Sequence, residues 1–175
     1  MNSEAPESVE RWIGALQTAP EIAQLLGVYL GQTTGYELML GKFFGNLAAV
    51  GSQDVVKAVF GRIINISTKL DILNALAELP ENQRWQPGDG ELLQTARAIN
   101  KRRNEYVHGT YRVTPSVKLV ELLTWVTSES SKSKRYEVTE EMIRADMHRI
   151  ACFLGDSMSL FHPDLKLPPS NMPDA

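Results

Sequence analysis

ELLQTARAINKRRNEYVHGTYR, residues 91–112, is the stretch whose reading decides the fold. Leu92, Ala96, Ile99 and Tyr106 recur at steps of three and four, which predicts one helix with a buried stripe. At roughly 100° per residue the stripe centres close to Arg103, with Leu92, Ala96 and Ile99 before it and Tyr106 and Val107 after it. A guanidinium there needs a partner, because an unpaired charge is costly to bury. A carboxylate, backbone carbonyls, a facing subunit or a phosphate would serve. One shoulder of the stripe carries Arg97, Asn100, Asn104 and His108. Asn104 and His108 are four apart, so their side chains can meet. Gly109 then ends the helix, read as a left-handed residue just past the last turn.

The rest of the chain reads outward from this helix as mainly α. Upstream, residues 7–18 predict a short helix, and a long helical region follows from about Glu21 to Val50. Its five glycines suggest a break near Gln32-Thr33-Thr34-Gly35. Gly41 and Gly45 allow close helix packing. Ser52 is the N-cap expected for a third long helix over residues 54–79, with Val55, Val59, Ile63, Ile66, Leu70 and Leu73 on its stripe. Residues 80–90 read as a loop, and Asp89 as the cap of the motif helix.

Downstream the period changes. Tyr111-Arg112-Val113 leans to β. Residues 117–127 fit a strand or a helical turn or two, and 135–138 alternate like a strand. These predict a small antiparallel hairpin. Thr139 then caps a final helix with an acidic first turn and Ile143, Met147, Ile150, Leu154, Met158 and Phe161 on its buried face. The expectation is a bundle of four or five helices with a small β-hairpin before the last. Residues 1–162 form a single domain and 163–175, with four prolines, a flexible tail.

Composition narrows the function. The formal charge is −3 and the pI near 5.7, so any nucleic-acid surface must be local. The single cysteine, Cys152, reads as a small core residue. The start has no basic region and no apolar run, and no apolar stretch reaches a membrane span; a cytoplasmic location is the expectation. Three scattered histidines and one cysteine give no metal-ligand spacing. No phosphate-cradling glycine loop or serine-nucleophile elbow occurs. No cofactor is expected.

Arg103-Asn104-Glu105-Tyr106-Val107-His108 has an Arg, a polar residue, three more residues and a His. This resembles the signature of the HEPN superfamily, helical proteins that include many metal-independent ribonucleases of bacterial defence and toxin systems. In toxins paired with a nucleotidyltransferase antitoxin a tyrosine usually sits two positions after the His; Tyr111 sits three after. The resemblance implies a homodimer in which two motif helices face each other around one cleft. It implies RNA as substrate and an antitoxin or other protein as partner. In that frame His108 moves protons, Arg103 stabilises phosphate charge, and Asn104 positions His108 or the phosphate. Arg97, Lys101, Arg102 and Tyr111 would hold RNA. Lys132, Lys134 and Arg135 read more readily as a solvated face, and Trp125 as core. The other function class in view is a non-catalytic helical module that binds a protein partner or RNA.

Overall fold

The computed structural model describes residues 15–82, 89–114, 119–124 and 134–162. Its secondary structure is mainly α. Among the described residues there are five α-helices: α1 Pro20–Leu47, α2 Gln53–Val59, α3 Ile66–Ala77, α4 Asp89–His108 and α5 Glu140–Phe161. Between α4 and α5 lies an antiparallel sheet of β1 Thr110–Thr114, β2 Leu119–Thr124 and β3 Lys134–Glu137, in that order. The two-stranded hairpin expected from the sequence is therefore a three-stranded meander. The segment at 119–124, ambiguous in period, is its central strand, with every second residue buried. The expected N-terminal helix has only its end among the described residues, as a 3-10 turn at Ala15–Thr18. The tail at 163–175, Trp85, Trp125 and Lys132 lie outside the described residues.

The chain divides into two compact units, residues 1–30 with 102–146 and residues 31–101 with 147–175. The second unit is a helical bundle. Tyr36, Leu40 and Phe43 of α1 are fully buried there. Tyr36 packs on Phe153 of α5 at 5.4 Å between ring centroids and donates its hydroxyl to the Ala96 carbonyl of α4 at 2.9 Å. The Gly41–Gly45 ridge packs as expected. A Cβ on Gly45 would stand 3.2 Å from Val56 Cγ2, so α2 approaches α1 along it. Asn82 is buried and its amide donates to the Leu47 and Leu76 carbonyls at 2.9 and 2.7 Å. It thereby satisfies acceptors left over at the ends of α1 and α3.

Two helix boundaries differ from expectation. α1 runs without the break expected near Gln32–Gly35. Tyr29 and Tyr36 are both fully buried on either side of that point, and side-chain burial outweighs a glycine cost of up to ~1 kcal/mol. The helix expected over 54–79 is instead α2, a 3-10 turn at Phe60–Arg62, and α3. Asn65 explains the restart: its Oδ1 accepts from the backbone N–H groups of Ser67 at 2.8 Å and Thr68 at 3.3 Å. Ser52 has the extended conformation of an N-cap but makes no side-chain cap bond.

The first unit contains the sheet. Tyr111 pairs with Leu122, and Leu122 with Tyr136, so these three share one cross-strand row and one face. Leu122 is fully buried, which makes this the inner face. Arg112, Glu121 and Glu137 form the adjacent row, on the opposite face. Thr139 caps α5 as expected, accepting from the Met142 N–H at 3.2 Å.

Candidate functional site

The last two turns of α4 carry the motif, and all of its groups from Arg102 onward belong to the first unit. Arg103 and Asn104 are half-buried and in contact: Arg103 Nη1 donates to Asn104 Oδ1 at 3.3 Å. His108 is the last residue of the helix and is exposed. Among the described residues its side chain makes no hydrogen bond, so Asn104 and His108 share a face without being bonded. Beside them Val107 is 42% exposed, an apolar residue open to solvent at the motif.

The burial pattern of α4 follows Leu93, Ala96, Ile99, Asn100 and Tyr106. Arg103 falls within it and is half-buried. Its neighbour Arg102 has a buried carboxylate partner. Arg102 Nε lies 2.9 Å from Asp146 Oδ2 in an ion pair, and Asp146 is only 4% exposed. Arg102 Nη1 donates to Glu105 Oε2 at 2.9 Å and to the Tyr136 hydroxyl at 3.2 Å. The Tyr136 hydroxyl in turn donates to Glu105 Oε2 at 3.2 Å. Tyr106, buried, donates to the same Asp146 Oδ2 at 2.8 Å. Tyr29 of α1 meets the Tyr106 ring edge-on, with centroids 5.1 Å apart. The Tyr111 hydroxyl donates to the Tyr106 carbonyl at 2.9 Å, supplying a partner where the helix ladder runs out. The ends of α4 and α5, β1 and β3 thus meet in one polar network around Arg102 and Asp146.

The network sets the local acid–base character. Burial opposes the charge on Arg102, but Asp146, Tyr106 and Tyr136 together more than offset this and the guanidinium pKa is raised. Burial, then the bond to Asp146, pushes the Tyr106 phenol well above its ordinary range. Burial does the same at Tyr111. Tyr136 is pushed up to about 12 by burial and by the Glu105 charge.

Gly109 ends α4, but not in the expected left-handed conformation, since no described glycine has positive φ. It is needed because a Cβ would overlap Leu122 Cδ1 and lie 2.6 Å from the Glu105 carbonyl oxygen. Close approach of the helix end to the inner face of the sheet is the physical requirement.

The residues expected to hold RNA are placed differently from one another. Lys101 is exposed, and Arg97 is exposed with Nη1 2.9 Å from Asp71 Oδ1, an ion pair of the weak surface kind. Arg102 is taken up by Asp146, Glu105 and Tyr136, so its guanidinium is directed inward. Tyr111 is half-buried with its hydroxyl on the helix end. Arg135 is exposed, 3.8 Å from Glu121. His148 and Cys152 lie one turn apart on α5, with Sγ 3.4 Å from Nδ1. Among the described residues no group of three or more His, Cys, Asp or Glu could hold a metal, and no helix is long and apolar enough to cross a membrane.

Sequence reasoning missed Asp146, Glu105 and Tyr136. The one available signal was an acidic residue between Ile143 and Ile150 on the buried stripe of α5. Comparisons with protein-family models, curated proteins and solved structures find no match to the chain.

Proposed function

We propose that the chain is a HEPN-type, metal-independent endoribonuclease of the kind found in bacterial defence and toxin systems. It would act as a homodimer with a composite site. The observation that most supports this reading is the presentation of the motif. Arg103 and Asn104 are hydrogen-bonded at 3.3 Å on the last turns of α4, and His108 stands exposed at the helix end.

An RNA 2′-hydroxyl attacks the adjacent phosphorus and its proton passes to a neutral imidazole of His108. The Arg103 guanidinium carries the charge that develops on the phosphate oxygens. The bond to the 5′-oxygen breaks, and that oxygen takes a proton as it leaves. The products are a 2′,3′-cyclic phosphate and a 5′-hydroxyl. A second copy, with its motif helix facing the first, would supply a second imidazole for the proton given back.

His108→Ala and Arg103→Ala test the reading. Each is expected to abolish cleavage of a mixed-sequence RNA while leaving the circular dichroism spectrum unchanged. Equal cleavage by parent and variants would reject it.

A second reading is a non-catalytic module of the same fold binding a protein or RNA. The inward commitment of Arg102 and the net charge of −3 favour it, since both reduce the cationic surface open to a polyanion. It predicts no turnover and an interaction that survives His108→Ala. Steep weakening of binding with salt would identify the partner as nucleic acid.

A further inference from the structure

We infer that Asp146, acting through Arg102 and Tyr106, is a positioning residue that fixes which face of the motif turn is offered to substrate. The inference rests on the ribonuclease reading for its catalytic consequence, but its structural content stands apart from it.

At roughly 100° per residue, Arg102 and Tyr106 share one side of α4, and Asn104 and His108 lie roughly 120° or more around the helix from both. The burial pattern agrees: Tyr106 is buried and His108 exposed. A rotation of the helix end about its axis would carry His108 toward the sheet and the polar group Arg102 toward water. Directed bonds resist it from three elements. Asp146 of α5 pairs ionically with Arg102 Nε at 2.9 Å and accepts from Tyr106 Oη at 2.8 Å, one turn apart on α4. Tyr136 of β3 bridges Arg102 and Glu105, each at 3.2 Å. Tyr111 of β1 holds the Tyr106 carbonyl at 2.9 Å. A carboxylate that gathers two residues a turn apart defines the azimuth of the helix, which an apolar contact does not.

Replacing both members of a buried ion pair with apolar residues of similar size is often neutral or stabilising. That separates positioning from stability. The variant Arg102→Met with Asp146→Leu is expected to fold and to melt somewhat below the parent, because the buried Tyr106 hydroxyl loses its acceptor. Its kcat for RNA cleavage should fall about tenfold or more with KM little changed, since small misplacements of catalytic groups are expensive. The His108 imidazole signal in a carbon–proton NMR spectrum, assigned with His108→Ala, is expected to shift or split. Tyr136→Phe, which keeps the ring and removes one bridge, should move the same signal in the same direction by less, and it guards against a double variant that fails to fold. A well-folded double variant that cleaves at the parent rate, or that leaves the His108 signal where the parent has it, overturns the inference. If the parent cleaves no RNA, the ribonuclease reading fails and the His108 signal alone decides this one.

Discussion

Arg102 of α4 and Asp146 of α5 form an ion pair at 2.9 Å, and the carboxylate is almost wholly removed from water. Taking away one partner leaves the other charge stranded. Asp146→Ala is expected to cost on the order of 3 kcal/mol, the lower end for a buried pair because Arg102 keeps some exposure. Denaturant unfolding followed by circular dichroism measures it. A loss under about 1 kcal/mol would place the pair among weak surface bridges instead.

Alkaline pH attacks the same network. Tyr106, Tyr111 and Tyr136 have pKa values raised above the ordinary value of 10, Tyr136 to about 12. Above pH 10 the unfolded chain releases phenolic protons that the folded chain retains, so the unfolded state binds fewer protons and stability falls as pH rises. Stability from these groups is complete below about pH 10 and declines through about 12 and beyond. Ultraviolet absorbance of tyrosinate should show delayed ionisation in the folded protein, coincident with unfolding.

Gly109→Ala sets a Cβ against Leu122 and the Glu105 carbonyl oxygen, one of them backbone that cannot swing aside. The expected loss is about 1–3 kcal/mol, the usual range for overpacking. Combined with Leu122→Ala, itself destabilising, the loss should be smaller than the sum of the two single losses, because the truncation opens the space the new methyl needs. Thermal melting of the single and double variants checks this.

Two exposed backbone positions should gain stability. Gly31 lies inside α1 with nothing within 4 Å of an added Cβ, so Gly31→Ala is expected to stabilise by about 0.5–1 kcal/mol. Ala49 has φ of 53°, just past the end of α1, where Val50 N–H reaches back to the Gly45 carbonyl at 2.8 Å. That left-handed position suits glycine, and Ala49→Gly is expected to gain about 1 kcal/mol. Both gains read as small rises in melting temperature, of a few degrees each.

The helical class was legible because apolar spacing marks helices strongly: the stripes of α1, α4 and α5 carry most of the buried residues. Boundaries were less so. Val59, Ile63 and Ile66 keep a helical spacing straight through the break between α2 and α3. Only the cap at Asn65, with Ser67 and Thr68 after it, signals the restart. The central strand β2 was ambiguous because its apolar residues fit either period until β1 and β3 are seen to flank it.

The candidate site was half legible. An arginine in the apolar stripe of α4 demanded a partner; Arg103 bonds to Asn104 at 3.3 Å, and an ion pair with a buried carboxylate is found one residue earlier, at Arg102. One residue is a rotation of roughly 100°, finer than a stripe of four apolar residues can define. The partner itself, Asp146, lies 44 positions beyond Arg102 in the sequence, and local periodicity carries no information about which helix will face which.

The motif turn at the end of α4 is proposed as a metal-independent catalyst. The most direct test is cleavage of a mixed RNA by the parent and by His108→Ala with EDTA present, followed by analysis of the product ends. The account predicts 2′,3′-cyclic phosphate ends from the parent and none from the variant. Cleavage that EDTA abolishes, or that His108→Ala retains in full, would contradict it.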